Sequence, residues 1–167
     1  KLPLHSRNSF DISKSVSIAI AKHSKVFDKL KPDLLLVLGD RYEIFAAAQA
    51  AMFSNIPIAH IAGGDVTEGA IDDAMRHSIS KMSHLHFVTN DLSRKRLLFM
   101  GENKKNIFNF GSPGIDMIKK IKYLPKNLFL KEIRFPQFDK NILVTYHPTT
   151  INDTETIINE IMIVLKA

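Results

Sequence analysis

The chain has 167 residues, 45% of them hydrophobic and 24% charged, the balance of a globular protein rather than a disordered one. The absence of cysteine excludes a disulfide scaffold, a thiolate metal site and a cysteine nucleophile, and fits a reducing compartment such as the cytoplasm. The formal charge of +6 favours anionic partners. The cations are scattered in short clusters such as Arg94-Lys95-Arg96, however, and there is no tryptophan, so no single-strand stacking platform and no nucleic-acid partner is expected. No apolar run reaches the roughly 18 residues of a membrane span, so no membrane role is expected either.

Val16, Ile20, His23, Phe27 and Leu30 recur at helical spacing, which predicts a helix that ends near Lys31-Pro32. Residues 34–38 form a short continuous apolar run, the pattern of a strand buried on both faces. Gly39-Asp40-Arg41 follows it. The alanine-rich segment 43–53 predicts a close-packed helix, and residues 56–61 a second buried strand that Gly63-Gly64 breaks. A helix is predicted over 70–81, a strand over 85–88, a helix from Asn90 or Asp91 to Met100, and a fourth strand over 107–110. Strands alternating with helices of this length build βαβ units. The fold class is therefore α/β, a doubly wound parallel sheet of Rossmann-like kind.

Residues 122–140 lose this period and hold Pro125 and Pro136. A strand over 141–146 and a helix from Asp153 or Thr154 to Leu165 begin a new unit. The domain reading is residues 1–121 as most of one Rossmann-like domain, 122–140 as a linker and 141–167 as the start of a second domain. The chain starts without Met and stops inside an apolar-periodic segment, so it reads as cut at both ends.

Ligands of open parallel sheets bind outside the carboxyl ends of the strands. Three predicted strand ends carry polar residues. The first has Asp40 and Arg41. The second has His60, then Asp65, Glu68, Asp72, Asp73 and Arg76. The last has His147. Adjacent helical residues point about 100° apart, so Asp72 and Asp73 cannot both aim into one site. Asp73 is expected to hold Arg76 as an i,i+3 pair. His84 and His86 share one strand face, but no third ligand lies at a local spacing, so they read as a satisfied polar network rather than a metal site. Neither a G-x-G-x-x-G nor a G-x-x-x-x-G-K-[ST] loop is present, which argues against NAD-type and P-loop domains.

The string His60-Ile-Ala-Gly-Gly-Asp-Val-Thr-Glu-Gly-Ala-Ile-Asp-Asp-Ala-Met-Arg-His77 resembles the signature of the hydrolysing UDP-N-acetylglucosamine 2-epimerase family. Gly39-Asp-Arg-Tyr-Glu43, Ser80-Lys-Met-Ser-His-Leu-His-Phe-Val88, Phe110-Gly-Ser-Pro-Gly114 and Leu143-Val-Thr-Tyr-His-Pro148 extend the likeness. The resemblance implies a two-domain fold of the glycosyltransferase-B type, here truncated, with the nucleotide sugar between the domains. It implies a carboxylate that removes the C2 proton while UDP leaves C1, then addition of water to the glycal with inversion at C2. The product is N-acetylmannosamine for nonulosonic acid synthesis. By matching positions, Asp40 and Asp72 correspond to catalytic carboxylates, and Arg41 and His147 to residues on the nucleotide. His60, His84 and His86 match histidines that support the site, as Asp73 and Arg76 are also expected to do. No cofactor and no metal is expected. A homo-oligomer is expected at full length.

The sequence departs from the family where many relatives carry Glu in the third position of the His-Ile motif. Here that position is Ala62, which cannot move a proton. Either Asp65 or Glu68 reaches the same space, or the sugar differs, as in the legionaminic branch, where the substrate is a nucleotide-linked 2,4-diacetamido-2,4,6-trideoxyhexose. A glycosyltransferase of the same fold and a non-catalytic binding module are the readings from other classes. With the N-terminal phosphate loop and most of the second domain missing, the 167-residue chain by itself is expected to be inactive.

Overall fold

The computed structural model describes residues 9–67, 71–136, 138–146 and 154–166. The described chain divides into two compact units, with the division along the chain between Ser112 and Pro113.

The first unit opens with helix α1 (Ser9–Leu30). Strand β1 (Leu35–Leu38), helix α2 (Tyr42–Phe53), strand β2 (Ile58–Ile61) and helix α3 (Ile71–Met82) follow. Strand β3 (Leu85–Val88), helix α4 (Asp91–Phe99), a 3-10 turn (Lys104–Asn106) and strand β4 (Ile107–Asn109) complete it. The strands form one parallel sheet in the order β1-β2-β3-β4. The expected α/β architecture is thus present, with most element bounds within two residues of the sequence reading.

Small residues let the helices approach. Ser15 and Ala19 of α1 are buried, as are Ala46, Ala47, Ala48, Ala50 and Ala51 of α2. These short side chains allow the two helices to pack closely, while Phe27, Val37, Ile58 and Ile79 fill the space between them and the sheet. A second, smaller cluster of Val88, Leu97 and Ile107 seats α4 on β3 and β4. Asn90 caps α4 by accepting the Ser93 N–H at 2.9 Å.

Register sorts the sheet into rows. Val37, His60, His86 and Ile107 stand side by side, all buried. The neighbouring row, on the other face, is Leu38, Ile61, Phe87 and Phe108. Leu36 and Leu38 are 58% and 57% exposed, which corrects the expectation that β1 is buried on both faces. The reason is positional. Within the described residues β1 is an edge strand, and one face of the sheet carries the helices. On the open face Phe87, Phe108 and Phe110 stack with centroids 5.6 to 6.1 Å apart.

The second unit holds α5 (Pro113–Lys120), α6 (Lys126–Glu132) and α7 (Thr154–Lys166). The predicted linker therefore contains a helix. Residues 141–146 form no strand, which corrects that expectation too. A strand needs a ladder partner, and Ile142 and Leu143 are 89% and 93% exposed. No described helix is long and apolar enough to cross a membrane.

The turn after β2 uses demanding backbone. Ala62 has φ +63°, the left-handed region, while its N–H donates to Phe87 O at 2.9 Å. Gly64 has φ +78°, and a Cβ there would sit 2.5 Å from Ser93 O. Two opposite outcomes follow for urea unfolding. Ala62→Gly should be neutral or add up to about 1 kcal/mol, because it relieves left-handed strain. Gly64→Ala should cost about 3 kcal/mol, because it adds both strain and a backbone clash. A loss from Ala62→Gly as large as that from Gly64→Ala would contradict this backbone assignment.

Candidate active site

The carboxyl edge of the sheet gathers the ends of β1 and β2 and the start of α3. Asp40 follows β1 directly. Its carboxylate accepts a hydrogen bond from the Arg76 guanidinium, which reaches across from α3, and the two side chains are 18% and 11% exposed. Arg76 also donates to Thr67 Oγ1 at 3.0 Å. The expected Asp73–Arg76 pair is therefore not formed. Asp73 instead accepts the Thr67 N–H at 3.1 Å and lies 3.5 Å from His77 Nε2. A nearly buried guanidinium has few ways to meet water and takes the nearly buried carboxylate, while Asp73 reaches back to the backbone of the loop that precedes its helix.

Asp72 makes no hydrogen bond or ion pair among the described residues, yet it is near enough to Arg41 to raise that guanidinium's pKa. The larger cause of that rise is Glu43, to which Arg41 donates twice, at 3.1 and 3.0 Å. Burial is the largest single influence on the Glu43 carboxyl and pushes it up, but the Arg41 hydrogen bonds, a backbone hydrogen bond and the Arg41 charge together hold the group below its usual range. The Arg41 side chain is 71% exposed, so it is free to swing toward an anion. Asp40, Arg41, Asp72 and Arg76 thus share one edge.

Asp65 is placed differently. Its carboxylate accepts from Thr89 Oγ1 at 2.8 and 3.0 Å, from Asn90 Nδ2 at 3.4 Å and from Ser93 Oγ. Arg96 adds a bond to Gly64 O. Together they fasten the loop after β2 to the start of α4. Glu68 and His147 lie outside the described residues.

His60 is buried in the second strand, with Nε2 2.8 Å from Gly39 O and Nδ1 3.1 Å from Ser80 Oγ. Burial is the main cause that pulls its pKa from 6.5 to about 4; the bond to the Gly39 carbonyl opposes it most, the charges of His86 and Arg76 add to it, and Asp40 opposes it slightly. His86, next to it in the row, has Nε2 3.2 Å from Glu102 Oε2, and Glu102 in turn binds Lys81 at 2.5 Å. Burial lowers the His86 pKa as well. His84 sits at the opposite, amino-terminal end of β3, where Nδ1 accepts the Ile58 N–H at 3.3 Å. The sheet does not bring it to the carboxyl edge. Ser80, Thr67 and Glu102 were not singled out by the sequence, because a serine, a threonine and a glutamate on these elements carry no local mark of their distant partners.

The buried histidines give stability a pH dependence. Between pH 6.5 and about 4 the unfolded chain takes up a proton that folded His60 refuses. Its contribution is therefore complete above pH 6.5 and lost as pH falls toward about 4, roughly 3 kcal/mol in all. His86 adds a loss of the same sign. Urea unfolding across this window should show that slope, and His60→Gln should flatten it. An identical slope in the variant would contradict the assignment.

The chain matches the UDP-N-acetylglucosamine 2-epimerase family over residues 1–167. It is 45% identical over 159 residues to the GDP/UDP-N,N'-diacetylbacillosamine 2-epimerase (hydrolysing) of Campylobacter jejuni, a match covering 93% of this chain and 41% of that protein. It is 37% identical over 156 residues to the UDP-N,N'-diacetylbacillosamine 2-epimerase (hydrolysing) of Legionella pneumophila, again over 93% and 41%. Among solved structures, the Neisseria meningitidis UDP-GlcNAc 2-epimerase bound to UDP-GlcNAc aligns with a TM-score of 0.64 at 26% identity, over 78% of this chain and 35% of that one. The chain thus spans about two fifths of the length of these curated relatives. Solved 2-epimerases share its parallel α/β fold, which is of the glycosyltransferase-B type. The family match from end to end, on a sheet whose carboxyl edge gathers these carboxylates and arginines, places the chain in the UDP-N-acetylglucosamine 2-epimerase family.

Proposed function

We propose that the chain carries the proton-abstracting side of a hydrolysing nucleotide-sugar 2-epimerase, with Asp72 as the base. One observation supports this above the others: of the two carboxylates expected to be catalytic, Asp40 is tied to Arg76, whereas Asp72 has no hydrogen-bond or ion-pair partner among the described residues and acts on Arg41 only through its charge. A carbon-bound C2 proton is a poor acid, so its acceptor must be an uncommitted carboxylate within hydrogen-bond reach. A carboxylate that already accepts from a guanidinium is the weaker candidate.

In this reading Asp72 takes the C2 proton as the C1–O bond to the nucleoside diphosphate breaks, leaving a C1=C2 glycal. Arg41, exposed at the surface, turns from Glu43 to the departing diphosphate and balances its charge. Water then adds its hydroxyl to C1 and a proton to C2 from the opposite face. Asp40, held still by Arg76, orients that water. The products are the free 2-epimer and the nucleoside diphosphate. The chain spans about two fifths of the length of its curated relatives, so the 167 residues alone should not turn over.

The substrate class we favour is a UDP- or GDP-linked 2,4-diacetamido-2,4,6-trideoxyhexose, a precursor suited to legionaminic-type acids. The Campylobacter and Legionella relatives support it, since both are named for N,N'-diacetylbacillosamine. Ala62 supports it as well: a small apolar residue at the end of β2 leaves room for a second acetamido group. Of the two carboxylates that could stand in at Ala62, Asp65 loses weight because it is spent on Thr89, Asn90 and Ser93, while Glu68 lies outside the described residues. The Neisseria structure bound to UDP-GlcNAc keeps UDP-N-acetylglucosamine as the second reading.

The test is proton NMR on the intact protein in deuterated water, with each nucleotide sugar in turn. The free epimer should appear with deuterium at C2, faster from the diacetamido sugar than from UDP-N-acetylglucosamine. Asp72→Asn should lower kcat by about 10²- to 10⁴-fold, and more than Asp40→Asn does. Absence of C2 exchange with both sugars, or a glycoside formed only when an acceptor is added, would overturn the reaction. Full activity of Asp72→Asn would overturn the choice of base.

A further inference from the structure

Asp40 is held from two sides, and the two restraints close into a ring. Its side chain is bound by the Arg76 guanidinium. The carbonyl just before it, that of Gly39, is bound by His60 Nε2 at 2.8 Å. His60 Nδ1 lies 3.1 Å from Ser80 Oγ, and Ser80 stands one helical turn after Arg76, whose carbonyl is 3.0 Å from the same hydroxyl. The ring therefore runs from Asp40 through the backbone of Gly39, His60, Ser80 and the α3 backbone to Arg76, and back to Asp40. His60 and Ser80 are fully buried and Arg76 is nearly so.

The protons in this ring have one consistent arrangement. A carbonyl only accepts, so the ring proton of neutral His60 sits on Nε2, facing Gly39. Nδ1 is then a buried acceptor whose sole partner in reach is the Ser80 hydroxyl. That hydroxyl has one proton and two acceptors before it. The Arg76 carbonyl already receives the helical N–H four residues on, whereas Nδ1 would otherwise stay unsatisfied, so the Ser80 hydroxyl donates to Nδ1. Gly63 seals the contact. A Cβ there would lie 2.9 Å from both His60 Nδ1 and Ser80 Oγ, so only glycine lets the loop press down on the pair.

On the reading of Asp40 and Asp72 given above, we infer that Ser80 is a positioning residue: through His60 it fixes the Gly39 carbonyl and so the backbone that presents Asp40 to the site. Without the hydroxyl, Nδ1 of His60 loses its partner and the imidazole loses one of the two bonds that orient it, although Gly39 still sets the tautomer. The Gly39–Asp40 backbone is then held less firmly while the Asp40 side chain remains tied to Arg76. The carboxylate then shifts with the backbone that carries it. Small displacements of this kind act on the reaction step more than on binding.

The experiment has a kinetic and a spectroscopic arm, both on the intact protein. Ser80→Ala should lower kcat by about 10- to 100-fold with KM within about threefold, and Ser80→Thr, which keeps the hydroxyl, should recover most of that loss. The imidazole ¹⁵N spectrum of the unsubstituted protein at neutral pH should show His60 as the Nε2–H tautomer, with an Nδ1 shift that moves on Ser80→Ala. An unchanged kcat in a folded Ser80→Ala variant would overturn the inference, and so would an Nδ1–H tautomer, which needs no variant to detect. If the protein turns over neither nucleotide sugar, the functional reading falls. The ring is then still judged by the tautomer and by whether the Asp40 amide resonance moves in Ser80→Ala.

Discussion

The pairing of Arg76 with Asp40 is the constraint around which the carboxyl edge of this sheet is arranged. Both groups are nearly buried, so each would be costly without the other. Their bond ties α3 to the end of β1 across a sequence separation of 36 residues. The same guanidinium reaches Thr67, whose N–H is capped by Asp73, so the loop after β2 is drawn in as well. Once Arg76 is committed to Asp40, Asp73 turns to Thr67 and His77, and Asp72 keeps no hydrogen-bond or ion-pair partner among the described residues.

Behind this edge lies an unusual row for the covered face of a parallel sheet. His60 and His86 stand next to each other between Val37 and Ile107. Apolar side chains would be cheaper there, and each histidine is tolerated through a partner, Ser80 and the Gly39 carbonyl for one and Glu102 for the other. Such bonds are directional where apolar contacts are not. His60 converts a packed strand into a fixed position for the residue that follows Gly39. The other face of the sheet needs no such precision. Its Leu36, Leu38 and stacked phenylalanines are the kind of surface that a parallel sheet covers in a complete fold.

Much of the fold was legible because it is written in local periods. The helical spacing from Val16 to Leu30, the alanines of α2 and the Asn90 cap each lie within one element, and each is found where the spacing puts it. What depends on a partner elsewhere was not legible. A run such as residues 34–38 or 141–146 announces a strand, but the sequence does not say whether a neighbour covers Leu36 or pairs with Leu143. The site divides in the same way. The rule that ligands meet the carboxyl ends of strands located Asp40, Arg41 and Asp72. The i,i+3 rule then matched Arg76 with Asp73, and a long-range charge prevailed over it. Ser80 stood inside the family string without a role, since a serine on a helix shows its use only when His60 is beside it.

The most direct test of this account is a double-mutant cycle between Asp40 and Arg76, read by urea unfolding of the intact protein. If the pair organises the edge, Asp40→Ala and Arg76→Ala should each cost about 3 kcal/mol, because each strands a nearly buried charge. The double variant should then be hardly worse than either single one, a coupling of about 2 kcal/mol or more. Single losses that add to within about 0.5 kcal/mol in the double variant would mean the two residues act independently, and the arrangement built on their pairing would fail.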